Sequence, residues 1–178
     1  RVLLGLRERL FTAKANLATT AALEHFTAIF AEVALTQEDD RRAHPVIADL
    51  FIWHALEETE HKAVAFDVYR AVGGSERTRI WTMRLVRIGF ATALVLQTAV
   101  SLLGDRETYR RGVLRASLRR FRDSPLLGRM VKERLDDYDR PGFHPDDHDT
   151  DELLAEWREA LFGETGRLNH RLVTTEAA

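Results

Sequence analysis

Residues 53–69 (WHALEETEHKAVAFDVY) constrain the fold of this chain more than any other stretch. Successive residues of a helix advance about 100° around its axis. His54, Glu58 and His61 therefore share one face, with Glu57 at its edge. Ile47, Leu50, Ala65 and Val68 continue that face and are apolar. Ionisable groups in an apolar stripe are costly to bury unless something pairs with them. A metal ion supplies such a pairing, because the Glu58-x-x-His61 spacing sets a carboxylate and an imidazole one turn apart, pointing the same way. Glu60 points elsewhere, as a solvated helix charge.

Helical signals run through the rest of the chain, and no alternating strand pattern interrupts them. Residues 1 to about 37 read as helix with a break near Thr12, and Glu24 sits mid-stripe between Thr20 and Thr27. Glu24 is read either as a carboxylate paired inside the protein or, given Glu58 and His61, as a ligand. His25 lies about a quarter turn off the stripe, at the surface or behind the ligands. Residues 38–44 form a charged connection. Pro45 opens a helix expected to run unbroken to about Val72, where Gly73-Gly74 stops it. Apolar on more than one side, this helix is expected at the centre of a bundle.

Ser75 caps a helix to about Leu103, with Gly104 as its stop. Residues 88–103 of it carry no charge, slightly short of the about 20 residues a membrane span needs. Burial, docking on a partner, or membrane or lipid contact through 81–103 are the readings open to it. A basic helix over 105–122 follows, then a helix from Ser124-Pro125 to about Tyr138. The Pro/Gly-rich loop 140–149 holds His144, Asp146, Asp147 and His148, read as a polar loop in which Asp149 or Thr150 caps the last helix, around 151–162. One helical domain over 1–163 and a polar, frayed tail over 164–178 complete the expected organisation.

The net charge of -2 gives no global basic field, and the arginines of 105–122 come without interleaved aromatics, so nucleic acid is not an expected partner. The absence of cysteine excludes disulfides and thiolate metal sites and is compatible with a cytoplasmic chain, membrane-associated if 81–103 meets lipid.

The segments Glu24-His25-Phe26-Thr27 and HALEETEHKAVAFDVY, with the PGFHPDD loop, resemble a bacterial family described as predicted metal-dependent hydrolases, of ferritin-like di-metal character. The resemblance covers most of the chain, and residues 53–69 are its most specific part. It implies an all-α, ferritin-like bundle around a carboxylate-bridged metal pair. It carries over Glu24, Glu58 and His61 as ligands, with His54 and Glu57 as weaker candidates. A ferritin-like site takes one Glu from each of two helices and a Glu-x-x-His from each of two others. This chain has one clear Glu-x-x-His, so with Glu24 it supplies half of such a site. The family pattern includes an upstream Pro-x-Gly-Glu and a Gln-Glu-x-x-His segment, neither of which occurs here. Since the first residue is Arg1, the expectation is a bundle incomplete at its N-terminus. The face bearing Glu24 and Glu58 would then be open to association, including a homodimer that completes the site from two copies.

Mixed carboxylate and imidazole donors suit iron, manganese or zinc, and the ferritin-like character that the resemblance implies favours iron. In a hydrolase, the ion would activate water and Glu57 would take its proton. The same ligands could hold two irons in an oxygenase. A non-catalytic helical interaction or membrane-associated module, its Glu/His cluster a buried polar network, is the reading from a different class. A cleft for an acyl or lipid-like ligand along 88–103 is compatible with either.

Overall fold

Helix α1 (Ala13–Thr36) is the axis on which the other helices pack. Thr12 starts it, its hydroxyl accepting the Ala15 N–H at 3.3 Å and so satisfying one of the unpaired donors of a first turn. Ala18, Ala21, Ala22, Ala28 and Ala31 are buried along it, and such small side chains let neighbouring backbones approach from several sides. This computed structural model describes residues 12–37 and 44–169. The helix expected over 1–11, most of the charged connection (38–43) and the end of the tail (170–178) lie outside the described residues.

Six more α-helices follow among the described residues: α2 (Pro45–Glu60), α3 (Val64–Ala71), α4 (Glu76–Gly104), α5 (Val113–Arg122), α6 (Arg129–Asp137) and α7 (Asp151–Phe162). Short 3-10 turns occur at Arg106–Tyr109, Pro125–Leu127 and Pro145–Asp147, and no strand occurs among the described residues. The all-α class is as the periodicity predicts.

Several expected elements are corrected. The central helix is α1, which touches α2, α3, α4, α6 and α7, and not the helix that begins at Pro45. That second helix does not reach Val72 unbroken: it ends at Glu60, turns through residues 61–63 and resumes as α3. The expected basic helix over 105–122 is a 3-10 turn, a left-handed Gly112 (φ 88°) and the shorter α5. The helix expected from Pro125 breaks at Gly128, where a Cβ would lie 2.8 Å from the Pro125 carbonyl oxygen. The tail is docked as far as Asn169: Leu168 packs beside Leu154 and Leu161, and Arg167 pairs with Asp49 at 3.0 Å.

Two apolar clusters flank α1. Phe26, Phe66, Met83, Tyr138 and Phe143 form one, and Leu35, Ile52, Leu56, Leu154 and Leu161 the other. The turn from α3 to α4 is close-fitting. Gly73 has φ 76°, a conformation that L side chains rarely adopt, and a Cβ on Gly74 would stand 2.4 Å from the Tyr69 ring. Arg79, fully buried on the first turns of α4, donates to Glu76 at 2.6 Å, to the Arg140 carbonyl at 2.9 Å and to the Tyr138 carbonyl. Its guanidinium lies over the Tyr138 ring, 4.9 Å from the centroid. One buried cation thus ties the 138–140 turn to α4.

Candidate functional site

The break between α2 and α3 shapes the candidate site. Lys62, in the turn, donates to the His148 carbonyl at 2.6 Å and to the Thr150 hydroxyl at 2.9 Å, drawing the backbone toward the C-terminal loop. The new helix α3 then has unpaired N–H groups, and its N-cap residue, Ala63, has no side chain to offer them. Glu24 reaches across from α1 and accepts the Ala65 N–H at 3.2 Å. A carboxylate at a helix N-terminus is favoured by both the hydrogen bond and the helix dipole.

Glu24, Glu57, Glu58 and His61 line one cleft of about 150 Å³. Glu58 accepts the Thr27 hydroxyl at 2.7 Å on one oxygen, and its other oxygen lies 3.5 Å from His54 Nε2. His54 is exposed at the rim. Among the described residues, no lysine or arginine forms an ion pair with Glu24, Glu57 or Glu58, so the three carboxylates face the cleft without a cationic partner from that set. His61 sits in the turn as the C-cap of α2 (φ -97°, ψ 6°), so Glu58 and His61 do not belong to one continuous helix as their spacing implies.

The surrounding stripe is not buried. Ile47, Leu50 and Val68 are exposed, as are Leu23, Phe51 and Trp53 on α1 and α2, whereas Ala65 is buried. Among the described residues, the face that carries the candidate ligands is open, which removes the burial cost inferred from the sequence.

The donor set fits a divalent cation in kind: carboxylate oxygens and an imidazole nitrogen, with no competing cation beside them among the described residues. Thr27 and the Ala65 amide each hold one oxygen of a carboxylate, an orienting arrangement common behind metal ligands. In closeness it falls short. Among the described residues, no three His, Asp or Glu side chains are gathered tightly enough to hold an ion between them.

A family model described as predicted metal-dependent hydrolase matches residues 1–149. The chain belongs to that family. No curated protein and no solved structure matches it. Membership carries the metal dependence in the family's description, while the identity of the metal is not part of it.

The loop histidines take separate partners. His144 pairs with Asp67 at 2.8 Å and caps the Pro145 turn, Asp147 pairs with Arg140, and His148 pairs with Asp137 at 2.9 Å. Asp149, not the Thr150 side chain, accepts the Asp151 N–H at the start of α7.

His25 is buried, not at the surface. Its Nε2–H donates to the Arg134 carbonyl at 3.1 Å, and its ring lies among Tyr138, Phe143 and His148. Burial pushes its pKa down to about 4, the Arg134 carbonyl opposing in part. Burial also lowers His148, against the pull of Asp137. Next to them Glu32, buried on α1, pairs with Arg134 at 2.6 Å. No spacing signal marks these groups, because they meet only when α6 and the loop fold against α1. A wider cleft of about 370 Å³ is lined by Glu32, Thr36, Asp149, Glu152 and Glu156, but no histidine lines it and Glu32 already has Arg134.

Proposed function

We propose that the chain is a metal-dependent hydrolase whose cation is held at the cleft between α1 and the α2–α3 break. Glu24, Glu58 and His61 are the ligands, His54 stands at the rim, and a ferritin-like arrangement of helices frames the site. The observation that carries this reading is that three carboxylates and an imidazole line one cleft, with no lysine or arginine paired to the carboxylates among the described residues. Family membership supports it. Glu24, Glu58 and His61 would hold a divalent ion there, which would supply Lewis acidity to a hydrolytic water. Glu57, on the same cleft wall, would be the group to take up a proton. Thr27 orients Glu58, and the Ala65 amide orients Glu24.

A second reading has its own observation. Glu24 completes the start of α3, and Glu58 links α2 to Thr27 of α1, so both carboxylates have structural work without any ion. Metal analysis and calorimetric titration with Mn2+, Zn2+ and anaerobic Fe2+ separate the two. Binding by the native chain that is lost in Glu58→Gln and His61→Ala, with helical content unchanged, supports the hydrolase reading. No binding, or equal binding by both variants, overturns it.

A further inference from the structure

Helix α4 is 29 residues long, and only its first half is built into the protein. Arg79 and Met83 are buried, Arg84 pairs with Asp139 at 3.1 Å, Arg87 pairs with Asp136 and Asp139, and Phe90 meets Phe26 and Phe30. Beyond Phe90, every residue to Gly104 is exposed except the half-buried Leu102. Ile88, Val95, Leu96, Val100 and Leu103 are each at least 60% exposed and, at about 100° per residue, share a broad face, while Leu94, 39% exposed, lies on the opposite side. An apolar helix bare around much of its circumference needs an apolar surrounding, whereas one partner helix would cover only a stripe.

The chain that follows points to the nature of that surrounding. Residues 105–124 carry seven arginines against three acidic residues, in a protein whose net charge is -2. Helix α5 has no buried residue. Leu114, Leu118 and Phe121 lie on one side of it, with Arg115, Arg119 and Arg122 along one flank of that side and Arg120 along the other. This is the pattern of a helix lying in a lipid interface, with its apolar face down and its basic flanks toward anionic headgroups.

We propose that the distal half of α4 and helix α5 form a hairpin that dips into one leaflet of an anionic phospholipid bilayer. By length and composition alone α4 could cross a membrane, with an 18-residue window of mean hydropathy 1.7. The topology argues against crossing. The exposed half of α4 beyond Phe90 spans about 21 Å, less than the about 30 Å of a hydrocarbon core. The chain also returns to the same body, where Val131 of α6 is buried against Ile29 and Val33 of α1. A span would carry the arginines of 105–124 to the far side and force the chain back through the bilayer. Arg84 and Arg87, anchored to Asp139 and Asp136, mark where the helix leaves the protein for the interface.

The test is co-sedimentation of the full chain with vesicles of phosphatidylcholine alone and of phosphatidylcholine with one quarter phosphatidylglycerol, at low and high salt. Binding is expected to the anionic vesicles and to weaken with salt. Each basic residue near such a surface contributes about fivefold, so Arg115→Glu/Arg119→Glu/Arg120→Glu should lower affinity about a hundredfold or more. Leu96→Asp/Val100→Asp should abolish binding while leaving the arginines in place. All five positions are exposed, so circular dichroism should stay native. Equal binding to both vesicles, or full binding by the Asp variant, overturns the proposal. So does failure to bind, whether the chain is monomeric or a stable dimer by light scattering; a dimer would give the helix to a second copy.

Discussion

Replacing Glu24 separates what a carboxylate does for the fold from what it does for a cation. Glu24 accepts the Ala65 N–H in the first turn of α3, where no local side chain caps the helix. Loss of a capping acceptor costs about 1 kcal/mol, and loss of a negative charge at a helix start about 0.3–1 kcal/mol. Glu24→Ala loses both, about 1.5 kcal/mol in total, which lowers the melting temperature by about 3–6 °C in a domain of this size. Glu24→Gln keeps an amide oxygen for the Ala65 N–H and loses only the charge, about 0.5 kcal/mol or 1–2 °C. Urea unfolding followed by circular dichroism measures both. If the cleft also binds a cation, both variants lose the metal-induced rise in melting temperature, although their destabilisations differ about threefold. Equal destabilisation by Ala and Gln would refute the cap argument, and no destabilisation by Ala would remove it altogether. A metal-induced rise that survives in Glu24→Gln would show that this carboxylate is not a ligand.

Two further outcomes follow from the buried network behind the cleft. His25 titrates near 4 when folded and near its ordinary 6.5 when unfolded, so between these values the unfolded chain binds more protons. Stability should therefore be complete above pH 6.5 and fall as the pH drops toward 4, by about 3 kcal/mol from this group. Urea unfolding across that range should be less pH-dependent in His25→Gln, and an unchanged slope would refute the assignment. Arg79→Met takes the guanidinium from the buried Tyr138 carbonyl, while Glu76 keeps Arg70 and the Arg140 carbonyl keeps the Phe143 N–H, and an unmet buried acceptor costs about 1–3 kcal/mol. A loss below about 1 kcal/mol in the same assay would show that the turn does not depend on it.

Read alone, the sequence determined the helical class, most helix ends and the residues around the cleft. These are local matters. Ser75 hydrogen-bonds the Thr78 N–H as a cap in its own turn, Gly73 ends α3 because its φ is positive, and Glu57 and Glu58 are adjacent in any conformation. The break at residues 61–63 was not legible, since no glycine or proline marks it. It depends on Lys62 finding the His148 carbonyl and Thr150, 86 and 88 residues away, and on Glu24 capping the helix that restarts. The burial of His25 and the Glu32–Arg134 pair likewise require α6 and the following loop to close on α1. Periodicity identified the apolar faces of α2 and α4 but could not say which of them the protein covers. Only the tertiary structure decides that, because covering a face depends on where distant helices pack, and among the described residues none covers the distal half of α4.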